Sequence, residues 1–302
     1  MISENSELYR KHSDWVLGAK NGKLGRHQLV LDMGRHKVVD YVFERMCTAL
    51  DGVKVEYLKW DMNRYISEVS SGEAFHRYIL GVYDLLGRVT SRFPDMMIES
   101  CAGGGGRFDL GMLCYSPQIW TSDNTDPIMR IDVQLGTSVA YPCSAISCHF
   151  TNSDVSGIVS FDEFRYAAAA FGTYGYELDP RKASDERKAK LKKFTEQNAE
   201  NEQLVLSGDL YRLACGDNIK AYMQVSKDKS FALLTALQFV YNPSEQVVSL
   251  RLRGLDENVV YKCSADGKLY GGKALMRVGY RIYCPFGHSG AIAYTRFEKV
   301  KG

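Results

Sequence analysis

Two acidic clusters in this chain have the composition of a reaction centre. The first is Lys59-Trp60-Asp61-Met62-Asn63-Arg64, which closes an apolar, β-branched run beginning at Val53. Strand interiors rarely carry Lys, Asp, Asn and Arg within six residues, but the C-terminal end of a parallel strand can mount all of them around a pocket. The second is Ser122-Asp123-Asn124-Thr125-Asp126, which follows the short run Gln118-Ile119-Trp120-Thr121. Two carboxylates beside a Trp suit glycoside hydrolysis, in which a retaining enzyme sets one as nucleophile and the other as acid and base about 5–5.5 Å apart. In an extended strand Lys59 and Asn63 share a face with Asp61. A cation beside Asp61 would keep it ionised, as a nucleophile requires. The same residues also suit a strand ending in a salt-bridged turn.

Other chemistries have weaker support. The run Gly103-Gly104-Gly105-Gly106 resembles a phosphate loop, but Arg107 follows where Lys and Ser or Thr are needed. Its glycines fit a tight loop or close backbone approach to a ligand. Asp123, Asn124 and Asp126 could offer hard oxygen ligands, yet calcium-loop spacing is absent, and no metal is expected. Asp126 reads better as a helix N-cap or first-turn acid. His149 reads as a hydrogen-bonded strand-end residue. Cys101 has no evident His partner to activate it as a nucleophile.

The elements that must position these groups alternate. Strand-like runs at 28–32, 53–60, 96–101, 118–121, 141–150 and 172–178 are interleaved with helical periodicity near 36–50, 72–92, 126–138 and 161–171. Residues 1–27 read as a long loop, and 184–200 as a charged helix. Such alternation argues for parallel pairing, hence an α/β fold, and the strand ends then share one rim. After about residue 204 the pattern changes to short alternating runs at 219–226, 230–241, 246–253, 259–263 and 279–296, separated by turn residues. That is most simply an antiparallel β-sandwich. The expected division is 1–204 and 205–302.

The 302 residues are 45% hydrophobic and 25% charged with a net charge of +2, so nothing steers the chain towards nucleic acid or an anionic membrane. No apolar stretch is long enough for a membrane span. Eight Cys without a CxxC pair, and no apolar leader at Met1, read as reduced thiols in a cytoplasm. The 19 Tyr and 3 Trp suit sugar stacking as well as core packing.

Four motifs in order, Gln28-Leu29-Val30-Leu31-Asp32, Lys59 to Arg64, Glu99-Ser100-Cys101 through Asp109, and Trp120 to Asp126, resemble the α-galactosidases of glycoside hydrolase family 36. The likeness runs from residue 1 to about 180 and continues more weakly into the β region. It implies a retaining mechanism on terminal α-linked galactose, as in melibiose and raffinose, with no cofactor. It implies Asp61 as nucleophile and Asp123 as acid/base, with Arg26, Lys59, Asn63, Cys101, Gly103 and Trp120 lining the sugar pocket. Asn124 stands where many relatives carry a second Asp. The family's fold is a TIM (β/α)8 barrel, and the resemblance begins just after its third strand. A partial barrel, covering the later strands, is therefore expected. The acidic pair that follows the second strand in the family is absent. This implies a fragment, a truncated product or a chain that associates with itself or a partner, and its activity alone is an open alternative. Raffinose synthases, which transfer galactose to another sugar, look similar around both carboxylates.

Overall fold

The computed structural model describes residues 1–18, 24–69, 71–154, 161–214, 218–239, 242–244, 247–283 and 292–300. Cys215 and Cys284 lie outside the described residues, as do parts of the predicted runs 230–241, 246–253 and 279–296. The fold is mixed α/β with a β-rich C-terminal region, and it divides into two compact units, Met1–Asp123 and Asn124–Gly302.

In the first unit, β1 (Tyr57–Trp60), β2 (Met97–Ser100) and β3 (Gln118–Ile119) form a parallel sheet in that order. Its helices are α1 (Glu7–Lys11), α2 (His36–Leu50), α3 (Gly72–Arg92) and the single turn α4 (Leu110–Leu113). The 3.6-residue periodicity of α3 places Ala74, Tyr78, Val82, Leu85, Leu86 and Val89 on one buried stripe. These pack with Val38 and Val39 of α2 and Ile98 of β2 into one core. Both long helices match the sequence expectation. The run 28–32 does not become a strand. Its backbone instead pairs with the N-terminal segment through single bridges, Leu29 with Ile2 and Leu31 with Val16. Residues 1–27, expected as loop, supply α1 and a 3-10 turn at Ser13–Trp15, whose Trp15 is buried.

In the second unit, α5 (Pro127–Thr137), α6 (Asp162–Ala169) and α7 (Asp185–Ser207) accompany the parallel pair β4 (Ser147–Thr151) and β5 (Thr173–Glu177). Residues 141–146, expected as part of β4, hold a 3-10 turn at Cys143–Ala145 instead. Beyond α7 lie β6 (Asp209–Arg212), β7 (Ile219–Val225), β8 (Phe231–Gln238), β9 (Val247–Leu250), β10 (Val260–Cys263), β11 (Leu269–Gly271), α8 (Gly272–Arg277), β12 (Tyr280–Tyr283) and β13 (Ile292–Lys299). Six of these strands make an antiparallel sheet in the order β11-β10-β13-β8-β7-β6, and β9 pairs with β12. Met223, Leu234, Tyr261, Cys263 and Phe297 sit in the core of this region. The short β6, β11 and α8 escaped the sequence reading, because three to six residues carry too little periodicity.

Candidate functional site

Parallel pairing sets two rows of side chains across the first sheet. Lys59 is in register with Glu99, and Glu99 with Gln118. Two residues further along each chain come Asp61, Cys101 and Trp120. They extend the ladder one step past the strands: Cys101 N–H donates to the Trp60 carbonyl at 2.8 Å, Trp120 N–H to the Ser100 carbonyl at 3.0 Å, and Met62 N–H to the Cys101 carbonyl at 3.1 Å. Side chains two residues apart on a strand share a face. The three motif residues therefore form the last row at the C-terminal end of one parallel sheet.

The groups around this row are held in definite places. Asn63 Nδ2 donates to Asp61 Oδ2. The Cys101 thiol is buried, and burial is the main reason its pKa is pushed up to about 11; a backbone hydrogen bond from Gly104 opposes this, and the thiol's bond to the Asp61 carboxylate adds to it. Cys101 is thus a neutral donor to Asp61 and not a thiolate nucleophile. Lys59 Nζ lies 2.9 Å from Glu99 Oε1 and 4.9 Å from the centre of the Trp120 ring, within cation–π range. Trp120 Nε1–H donates to Asp123 Oδ1 at 3.2 Å.

The glycine run folds back beside these strand ends. Gly104 has φ +84°, and a Cβ there would stand 2.7 Å from Ser122 Cα and 3.1 Å from Asp123 N. Only a residue without a side chain lets the two loops meet at this distance. Arg107, next after the run, is buried, and its Nη2 donates to the Cys101 carbonyl at 2.8 Å and reaches that of Trp60 at 3.4 Å. Burial lowers its pKa, while Tyr78, Asp61 and Cys101 push the other way. Arg107 therefore ties the ends of β1 and β2 together and sets a cation within the field of Asp61.

An open cleft of about 720 Å³ adjoins the row, lined by Arg26, Asn63, Gly103, Arg107 and Asp123 among polar positions and by Phe75 and Tyr78 among aromatic ones. Arg26 is exposed with φ +50°, and Gly103 is exposed with φ +57°. The structure thus brings Arg26, Asn63, Gly103 and Asp123 to one cleft, and Lys59, Asp61, Cys101 and Trp120 to the strand ends.

Two residues went unassigned in the sequence reading. Glu99 sits between Lys59 and Gln118, and Arg107 spans two strand ends. Register across the sheet is the signal for Glu99, since it follows from placing Asp61, Cys101 and Trp120 in one row. Arg107 had no such signal. Asp126 belongs to the second unit, where it caps α5 by accepting from Ile128 N–H at 2.9 Å, as its position suggested. His149 lies in β4 with Nδ1 3.8 Å from Glu177 Oε2. Among the described residues no cluster of three or more His, Cys, Asp or Glu is placed to hold a metal.

Comparison with known proteins gives the same frame. The melibiase family matches residues 1–208, and the glycosyl hydrolase family 36 C-terminal domain matches residues 219–293. The chain is 43% identical over 286 residues to the bifunctional alpha-galactosidase/sucrose kinase AgaSK of Mediterraneibacter gnavus, a match covering 92% of this chain and 30% of that protein. It is 42% identical over 297 residues to alpha-galactosidase AgaA of Geobacillus stearothermophilus, covering 93% of this chain and 40% of AgaA. The solved galactosidase domain of AgaSK superposes with a TM-score of 0.94 at 41% identity, covering 99% of this chain and 42% of that one. An AgaA variant solved in complex with raffinose superposes with a TM-score of 0.94 at 39% identity, covering 99% and 43%. The chain spans 30–40% of the length of these curated relatives. It belongs to the melibiase family, the α-galactosidases of glycoside hydrolase family 36.

Proposed function

We propose that this chain carries the catalytic carboxylates of a retaining α-galactoside hydrolase. Asp61 Oδ attacks the anomeric carbon of a terminal α-galactosyl unit. The bond to the leaving oxygen breaks as Asp123 donates its proton to that oxygen. Asp123 then takes a proton from water, which attacks the anomeric carbon of the galactosyl ester and frees Asp61. Arg26, Lys59, Asn63, Cys101, Gly103 and Trp120 bind the sugar around this centre. The observation that carries the reading is the strand-end row of Asp61, Cys101 and Trp120, with Asp123 tied to Trp120. The substrate class is a galactose-containing oligosaccharide of the raffinose type, which the raffinose complex of an AgaA variant supports.

The same reading makes residues 1–204 a part of a (β/α)8 barrel and 205–302 a C-terminal sandwich. Parallel pairing in β1-β2-β3 and in β4-β5, and antiparallel pairing from β6 onward, support it. Six free cysteines among the described residues support a reducing, cytoplasmic compartment. No helix among the described residues is long and apolar enough to cross a membrane. Exposed apolar residues such as Val53, Tyr65 and Leu110 support association with further copies or chain segments.

The test is hydrolysis of para-nitrophenyl α-galactoside by this chain and by Asp61→Asn. Turnover in the parent that disappears in Asp61→Asn, with α-galactose as the first product anomer, is expected. Undiminished turnover in Asp61→Asn removes Asp61 from the role of nucleophile. With excess sucrose as acceptor, mainly free galactose distinguishes a hydrolase from a dedicated transferase.

A further inference from the structure

Glu99 lies at the centre of β2 and is fully buried. A buried carboxylate is costly unless donors and cations surround it. Here all three strands supply them. From β1 come the hydroxyl of Tyr57, which donates to Oε2, and the ammonium of Lys59, 2.9 Å from Oε1. From β3 comes Gln118 Nε2, which donates to Oε2 at 3.0 Å. Glu99 is one row below Asp61, Cys101 and Trp120, so it is placed to act through its neighbours and not on a sugar in the cleft.

Lys59 is the neighbour through which it acts. The ammonium that Glu99 holds also faces the Trp120 ring, and the indole N–H of Trp120 holds Asp123. Building on the reading above, we propose that Glu99 is a positioning residue of the active site: it anchors Lys59, which places Trp120, which places the carboxyl of Asp123. Its negative charge also offsets the Lys59 ammonium, which otherwise adds to the buried Arg107 in favouring ionised carboxylates around the site. The groups facing this ammonium are Glu99 from β2, Trp120 beyond β3 and, through its charge, Cys101 beyond β2.

The test uses the intact 302-residue chain labelled with nitrogen-15. Its three Trp give three indole N–H signals, and Trp120→Phe assigns one of them. In Glu99→Gln the Trp120 signal moves while that of Trp15 stays. With para-nitrophenyl α-galactoside, kcat falls at least roughly tenfold with a smaller change in KM, as expected for loss of a group that orders the site. The pH–rate profile shifts towards acid by roughly half a unit, the size expected for one uncompensated charge at the site. Glu99→Asp keeps the charge and withdraws the carboxylate; it restores the pH profile but not kcat, and it serves alone if Glu99→Gln does not fold. Glu56→Gln removes an exposed carboxylate paired with Lys54 and leaves all readouts unchanged. A Trp120 signal unmoved by Glu99→Gln, or a kcat loss without a pH shift, overturns the proposal. A parent chain without turnover overturns hydrolysis by this chain alone instead, and the Trp120 signal still decides whether Glu99 places Trp120.

Discussion

The indole nitrogen of Trp120 and the carboxylate of Asp123 meet at 3.2 Å, joining the last residue of a strand row to an exposed acid three positions later. Asp123 thereby gains a fixed orientation that its exposed position alone would not give it. Trp120→Phe keeps an aromatic ring for Lys59 and the sugar but removes the N–H donor. A hydrogen bond to a charged group contributes about 1.5–3 kcal/mol, so kcat for an aryl α-galactoside falls roughly 10- to 100-fold. KM changes much less. Unchanged kcat means that the bond does not orient the acid.

The two adjacent left-handed glycines separate backbone strain from loop contact. Gly103 has φ +57° with open space around its missing Cβ, whereas Gly104 has φ +84° and would drive a Cβ into Ser122 and Asp123. Gly103→Ala costs about 1–2 kcal/mol for the left-handed backbone alone. Gly104→Ala adds the displacement of the loop carrying Asp123, so its stability loss exceeds that of Gly103→Ala and kcat falls by at least roughly 100-fold. Urea unfolding and steady-state kinetics of the two variants check this ordering. Equal losses in both would place the cost in φ and not in the contact.

These two relationships show where the sequence was legible. The periodic helices 36–50 and 72–92 were readable because long apolar stripes specify them, and Asp61, Cys101 and Trp120 were readable as strand-end residues because apolar runs precede each. The loop packing of Gly104 was not, since a glycine run fits several turns equally well. Leu29 to Leu31 misled because an apolar run does not name its partner, and here Ile2 and Val16 meet it in single bridges. Glu99 and Arg107 needed register and long-range folding respectively, and neither leaves a local trace.

Asp126 gives a stability prediction separate from the chemistry. It is completely buried, and its Oδ1 accepts from Ile128 N–H at 2.9 Å and from Met129 N–H at 3.3 Å, satisfying two donors at the start of α5. Asp126→Ala lowers stability by at least about 1–2 kcal/mol, a typical N-cap loss. Asp126→Asn keeps an acceptor oxygen and costs less than half as much. Thermal unfolding of both variants distinguishes a cap from an acid that is needed for its charge, because equal losses would show that charge matters more than the acceptor.

Three buried thiols make the protein sensitive to alkaline pH. Burial pushes Cys101 and Cys143 up to about 11 and Cys148 up to about 12. In the unfolded chain each thiol ionises near pH 8.5. Below that pH both states keep the protons and stability is unaffected. As pH rises from about 8.5 towards 11–12, the unfolded state sheds protons that the folded state retains, so stability falls. The phenols of Tyr57, Tyr166 and Tyr174, also raised chiefly by desolvation, act with the same sign but only as the unfolded phenol nears its own value of about 10. The window from about pH 8.5 to 9.5 therefore reports mainly on the thiols. Calorimetry under reducing conditions is expected to show Tm declining across it, and combined Cys101→Ala, Cys143→Ala and Cys148→Ala replacement is expected to flatten the decline. A parent Tm that stays level across this window would show that the folded thiols ionise as readily as the unfolded ones.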